Sequence, residues 1–384
     1  MMKNVPSNQR DFFLNQPVTV KEFQKEFENI TPPAIAWKGD NVGLQVGRGS
    51  DTITNILVSL DATMDVAVEA KKKKANLIVT HHPLLFHPIK NVTSQSRAGA
   101  LVLYLAEHNI NLYAAHTNLD SVRWGVNFVL AQTLGLKNIS ILSPLHESLT
   151  KIAVFVPQKY VEQVAAAMHD AGAGTFTKYD TCSFRTEGTG TFRGMNNAKP
   201  FLGQVGKVER AEETRLEMLC ETWKINSVIA AMTKAHPYEE VAYDVYPLMN
   251  NNTEYGLGAI GNFDTPMGSN SFLKLIKTTL QTGSLRFSKG PASIQRVAVC
   301  GGSGSELINE AASLGADAMI TADVKYHTFQ EFEGKILLVD AGHYETERHV
   351  LPVVGNKIRE IVRKRKSSTK VFITEHTTNP IHYI

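Results

Sequence analysis

The sequence predicts an α/β fold: two similar α/β lobes with largely parallel sheets, forming one discontinuous domain, and an inserted ferredoxin-like α+β domain. Three observations predict it. From Asn55 to Asp120, short apolar runs alternate with helical periods, the pattern of βαβ units. From Arg296 the same order returns element for element, as in an internal repeat. Between the two, the texture changes to a βαβ–βαβ order with a β-ribbon. The boundaries read from these changes are 18–147 for the first lobe, 148–252 for the insert and 253–384 for the second lobe.

In the first lobe NILVSLDA reads as a buried strand, TMDVAVEAKKKK as a helix and NLIVTHHP as a second buried strand. AGALVLYLAEHN is the next helix, and INLYAAHTNLD holds a third strand. The insert begins with LTKIAVFVPQKYVEQVAAAMHDAGAG, a strand and helix ended by glycine. SFRTEGTGTFRGM reads as the ribbon around Gly188 to Gly194, and HPYEE (His236 to Glu240) reads mainly as a strand edge. Asn250 to Asn252, with Gly256 and Gly258, mark the exit from the insert. In the second lobe RVAVCGGSG is a strand, SELINEAASLGA a helix and DAMITADVKYH a strand. TFQEFEG is a short helix, KILLVDAGHYETE a strand and turn, and RHVLPVVGNKIREIVRKR a long helix. Polar residues fall at the same strand ends in both lobes, which argues against a chance match.

Composition narrows the function. With 43% hydrophobic and 20% charged residues, the chain matches ordinary globular proteins. A net charge of +3 supplies no field for nucleic acid or a membrane surface. The run Lys71 to Lys74 reads as a solvated helix end. Cys182, Cys220 and Cys300 lie far apart with no CxxC spacing, so neither a disulfide framework nor a zinc ribbon is expected. The stretch MMKNVPSNQRDFFLNQP lacks the apolar core of a signal peptide. No apolar run approaches the roughly 18 residues of a membrane span. These features predict a soluble, cytoplasmic protein.

In open parallel sheets, functional groups collect at the carboxyl ends of strands. Three such ends carry metal-ligand side chains: His81 with His82, His116 with Asp120, and His343 with Glu347. Residues four apart on a helical turn lie about 5–6 Å from one another, so each of the last two pairs can grip one ion. A lone HxxxE is usually a surface ion pair, and a histidine pair at a strand end is usually a hydrogen-bonded turn. Here all three coincide at strand ends that the repeat places on one edge. Five or six ligands exceed what one zinc needs, which points to two ions sharing a carboxylate. Imidazole and carboxylate together suit Zn, Fe, Mn, Ni or Co. Adjacent strand residues face opposite ways, but Pro83 biases His82 toward extended geometry as the chain leaves the sheet. The two imidazoles are then free to address two ions.

WKGDNVGLQVG, LVSLDAT, ANLIVTHHPLLFHP, YAAHTNLD, ITADVKYH and LLVDAGHYETE together resemble the Nif-three-like dinuclear metal centre family, whose members are labelled GTP cyclohydrolase I type 2 homologues. The resemblance covers roughly residues 20–145 and 255–384, and the middle segment is similar to a CutA- and PII-like insert. It implies two metal ions held by His81, His82, Asp120, His343 and Glu347, with Glu347 bridging. It assigns His82 and Asp120 to one ion, and His81 and His343 to the other. It further implies a ring-shaped homohexamer and the opening of the imidazole ring of GTP with loss of formate.

Other groups keep two readings each. His116 either supports a ligand or substrate, or satisfies a local backbone group. Lys325 and Tyr326 either contact an anionic substrate, or are a solvated lysine beside a packed tyrosine. Asp61 either orients a ligand or caps the following helix. The run Cys300 to Gly304 is either a phosphate cradle or, better, a tight strand-to-helix turn. The leading function is a metal-dependent hydrolase using metal-activated water on a small molecule such as a nucleotide. The alternative is a metal-binding regulatory or assembly protein with an effector-sensing insert and no turnover.

Overall fold

A computed structural model describes residues 17–384. The amino-terminal stretch read above for a signal peptide lies almost wholly outside the described residues. Among those described, no helix is long and apolar enough to cross a membrane. Contacts divide the chain into two units, one ending at Ser143 and resuming at Tyr255, the other spanning Pro144–Glu254.

The first unit opens with α1 (Val20–Glu28), started by a capping box in which Thr19 and Glu22 satisfy each other's backbone amides. There follow β1 (Gly43–Val46), β2 (Asn55–Ser59), α2 (Met64–Lys72), β3 (Leu77–Thr80), α3 (Arg97–Glu107) and β4 (Asn111–Ala114). The short α4 (Thr117–Asp120), then α5 (Val126–Thr133) and β5 (Lys137–Leu145), complete this stretch. Strands β2, β3 and β4 pair in parallel, with β1 antiparallel along β4. All four residues of β3 and of β4 are buried, the continuous apolar pattern of a sheet covered on both faces. On one face Leu57, Ile78 and Leu112 pack against Val66, Leu101 and Leu105 from the helices. On the other, Phe23 and Phe27 meet Tyr113 edge to face. Each fully buried side chain of this size contributes roughly 1.5–3 kcal/mol.

The second unit contains β6 (Leu149–Pro157), α6 (Val161–Asp170), β7 (Phe184–Arg193), β8 (Val208–Glu221), α7 (Ile225–Ala235) and β9 (Tyr243–Leu248). Its sheet runs β7-β8-β6-β9, every neighbouring pair antiparallel. The ribbon expected around Gly188 is the β7–β8 ladder, with Gly188 opposite Glu213. HPYEE departs from expectation. It forms no strand but lies in the segment between α7 and β9, because Pro237 has no amide hydrogen to offer a ladder.

The first unit resumes with β10 (Asn252–Gly268), α8 (Ser269–Leu280), β11 (Arg286–Phe287), β12 (Ser293–Ser303), α9 (Ile308–Ser313) and β13 (Ala318–Ala322). Then come α10 (Tyr326–Phe332), β14 (Leu337–Asp340), α11 (His343–Glu347), α12 (Leu351–Lys364) and β15 (Lys370–Ile373). Strands β12, β13 and β14 are parallel, with β10 and β11 antiparallel outside them. The strand–helix order of β2 to α4 thus recurs from β12 to α11. Two pairings were not foreseen. β15 joins the first sheet, parallel to β2, while β5 joins the second beside β10. Each sheet takes one strand from the opposite stretch of sequence.

Candidate metal centre

The parallel strands deliver the predicted side chains to one place. β3 ends at Thr80, and the amides of His81 and His82 both bond to the carbonyl of Leu60 (3.1 and 2.9 Å) as the chain turns out of the sheet. Their rings lie 4.8 Å apart and are tilted by 51°, so neighbours in sequence face one cluster. The carboxyl end of β4 leads through His116 to Asp120 on α4, and that of β14 leads to His343 and Glu347 on α11.

Glu347, 3% exposed, is the shared element. Its Oε1 lies 3.2 Å from His343 Nε2 and 3.6 Å from His81 Nε2, and its Oε2 lies 3.0 Å from His82 Nε2. Asp120 Oδ1 stands 3.6 Å from His81 Nε2, and the Nε2 atoms of His82 and His343 are 3.3 Å apart. In the structure His81 Nε2 approaches Asp120 and His82 Nε2 approaches His343, whereas the resemblance implied His82 with Asp120 and His81 with His343. The cause is what holds the far side of each ring. His81 Nδ1–H donates to the Ala115 carbonyl (2.9 Å), on the segment leading to Asp120. His82 Nδ1–H donates to Asp61 (2.8 Å), which turns its Nε2 toward α11.

The same support recurs around the site. His343 Nδ1–H donates to Asp323 (2.6 Å), and His116 Nδ1–H to Asp40 (2.9 Å). Asp40 also accepts from the Thr117 amide and hydroxyl. Four imidazoles thus have Nδ1 committed, leaving each Nε2 as the available nitrogen, the arrangement that fixes tautomer and raises basicity in metal-binding histidines. Asp61 orients a ligand candidate, whereas the cap of α2 is Thr63. Sequence reasoning missed Asp40 and Asp323. Asp40 lies within the WKGDNVG stretch and Asp323 within the ITADVKYH stretch, both already singled out, but neither was read as supporting a histidine.

Electrostatics follow from this crowding. Burial opposes ionisation of Glu347, yet His81, His343 and His82 hold its carboxyl well below the usual range. Burial alone would depress His82 and His343, but Asp61, Asp323 and Glu347 outweigh it, raising them to about 10 and about 11. His81 is likewise raised against its burial by Asp120 and Glu347. Burial pushes Asp120 up, opposed by His81. Asp40 is held down to about 2, where bonds from His116 and Thr117 overcome its burial.

Three buried polar atoms here have no hydrogen-bond partner: His81 Nε2, Asp120 Oδ1 and Glu347 Oε2. Leaving such atoms unpaired costs about 1–3 kcal/mol each, and bound cations would supply the missing partners. Two groups could hold a metal ion, their ligand atoms within 4.8 Å of one another: His81, His82 and His116, and His82, His343 and Glu347. His116 thus belongs to the cluster rather than to a purely local bond.

Lys325 and Tyr326 start α10 on the exposed surface, Tyr326 being 74% exposed, which removes the packed tyrosine expected there. The Cys300–Gly304 run is no phosphate cradle: the Gly301 amide donates to Asn127 and the Gly302 amide to Thr346. Its glycines serve close approach instead. A Cβ on Gly302 would lie 2.3 Å from Glu347 Oε1.

The profile of the Duf34/NIF3 (NGG1p interacting factor 3) family matches residues 18–380. A relative from Bacillus subtilis, named GTP cyclohydrolase 1 type 2 homolog, is 38% identical over 361 residues, covering 93% of this chain and 96% of the relative. One from Mycobacterium leprae with the same name is 37% identical over 327 residues, 83% of this chain and 84% of its own. The crystal structure of a Bacillus cereus protein related to NIF3 is similar with a TM-score of 0.85 and 36% identity, covering 96% of this chain and 100% of that one. These matches span nearly the whole described chain and both stretches that build the candidate metal centre: the chain belongs to the Duf34/NIF3 family.

Proposed function

We propose that this protein is a dinuclear-metal-dependent hydrolase in which His81, His82, Asp120, His343 and Glu347 hold two divalent ions, with Glu347 shared. The observation that carries the reading is the convergence of three unpartnered buried polar atoms beneath four imidazoles with anchored Nδ1 atoms. The donor set of imidazole and carboxylate suits Zn, Fe, Mn, Ni or Co and lacks the thiolates of many structural zinc sites. When bound, such a pair of ions supplies a hydrolytic nucleophile by lowering the pKa of water toward neutrality. The chain's own residues do the rest. Asp61, Asp323 and the Ala115 carbonyl keep His82, His343 and His81 oriented. His116, held by Asp40, presents Nε2 beside the cluster and can pass a proton to or from a reacting group.

The relatives' name directs the substrate test to GTP, with opening of the guanine imidazole ring and release of formate. Glu347→Gln should lose bound metal and abolish formate release; a variant that stays metal-replete and fully active sinks the proposal. The proposal also takes 18–147 and 253–384 as two similar lobes of one discontinuous domain, and 148–252 as a ferredoxin-like insert. Supporting it are the recurring strand–helix order and the β7-β8-β6-β9 sheet. Light scattering giving six chain masses would support the homohexamer.

A second reading, a metal-binding regulator without turnover, is favoured by one observation. The unit Pro144–Glu254 has its own core and contributes no residue to the metal cluster. Metal-loaded protein that turns over none of a panel of nucleotides and phosphoesters, yet shifts its melting temperature with one of them, selects that reading.

A further inference from the structure

The unit Pro144–Glu254 carries a solvent-open cleft of about 820 Å³, inside the range of roughly 300–1,000 Å³ typical of small-molecule sites. It is lined by two sequence features that the metal centre leaves unused, the GTGTFRG ribbon and the HPYEE segment.

Glu213 on β8 is 8% exposed and lines this cleft. Gly190 makes its placement feasible, because a Cβ there would fall 2.1 Å from Glu213 Oε2. Tyr238 donates its hydroxyl to Glu213 Oε1 at 2.9 Å. Among the described residues, no lysine, arginine or histidine forms an ion pair with this carboxylate. His236 sits nearby but is committed as a neutral ring: Nε2–H donates to the Phe155 carbonyl (3.0 Å), while Nδ1 accepts from the Tyr238 amide (3.1 Å). Its burial disfavours the charged form. A buried carboxylate without a counter-ion is costly.

The walls are aromatic. The rings of Phe192 and Phe201 lie 6.2 and 6.0 Å from Tyr238, tilted to it by 55° and 46°. Such walls attract cations through their electron-rich faces. At the exposed rim Glu239 and Glu240 add two carboxylates, against the single guanidinium of Arg193.

We propose that this cleft is a binding site for a small organic cation, seated against Phe192, Phe201 and Tyr238 and neutralised by Glu213. Nothing in this assignment depends on the metal centre. The full-length, metal-loaded protein would be titrated calorimetrically with choline and with tetramethylammonium, neither of which ligates metals, and with ATP as an anionic comparison. One choline per chain is expected. Phe201→Leu should weaken it by about five-fold or more, in line with the loss of one ring face, and Glu213→Gln should weaken it at least as much. Phe201 is 47% exposed, so its replacement tests the site even where Glu213→Gln fails to fold. Absence of binding by both cations up to about 10 mM, binding indifferent to Phe201→Leu, or saturable ATP binding lost in the same variants would each overturn the assignment.

Discussion

Gly302→Ala isolates the link between backbone geometry and metal binding. Gly302 has φ +63°, and an added Cβ would lie 2.3 Å from Glu347 Oε1 and 3.0 Å from His343 Nε2. Ordinary contact begins at 3.4 Å, so the Glu347 oxygen must retreat by about 1 Å, displacing the residue shared by both halves of the cluster. Misplacement of that size costs on the order of 10²-fold where geometry is preorganised. The left-handed backbone adds about 1–2 kcal/mol of strain to any alanine. Gly315→Ala separates the two effects: φ there is +74°, with nothing within 4 Å of the added carbon. Gly302→Ala should lose more stability in urea denaturation than Gly315→Ala, since the strain is common to both but only the first displaces buried neighbours. Only Gly302→Ala should lose metal affinity, by about 10²-fold, measured by competition with a chromophoric chelator. Wild-type affinity in Gly302→Ala, or equal losses in the two variants, would refute the reasoning.

The grouping of ligands is tested by paired substitutions. Combining His81→Ala with Asp120→Asn should remove one ion per chain, whereas combining Asp120→Asn with His343→Ala should remove both; elemental analysis showing both ions lost from the first pair rejects the grouping. The protonation of the site sets a pH dependence. His82 and His343 are raised from 6.5 to about 10 and about 11, so in metal-free protein their charged forms stabilise the fold fully below about 6.5 and progressively less as pH climbs through 10. Metal requires deprotonated imidazoles, so its affinity rises across the same interval. The gap in melting temperature between metal-loaded and chelator-stripped protein should therefore widen from pH 6.5 to 10, and a narrowing gap contradicts the pKa assignments.

Much of this was legible in the chain. The continuous apolar runs at Leu77–Thr80 and Leu337–Asp340 identify parallel strands because a sheet covered on both faces needs no alternation. His81, His82, Asp120, His343 and Glu347 are visible as polar residues at strand ends. What local pattern does not carry is the identity of distant partners. Nothing in KVFI states that β15 will lie along β2, and nothing at Asp323 names His343. The neighbours of the two histidines have the same origin, since the Ala115 carbonyl and Asp61 aim the two rings and both come from other strands. HPYEE misled because alternation alone suggests a strand, while Pro237 and the His236 side-chain bonds hold it as a loop.

On the proposed function, the crossing of β15 into the first sheet makes metal binding depend on residues 370–378. Beyond that strand, Thr378 donates its hydroxyl to Asp61, the group that aims His82. During synthesis every ligand through Glu347 emerges from the ribosome before residues 370–378 can dock, so a tightly closed centre is postponed until they arrive. Shortened chains ending before Lys370 would carry all five ligands and still bind metal loosely.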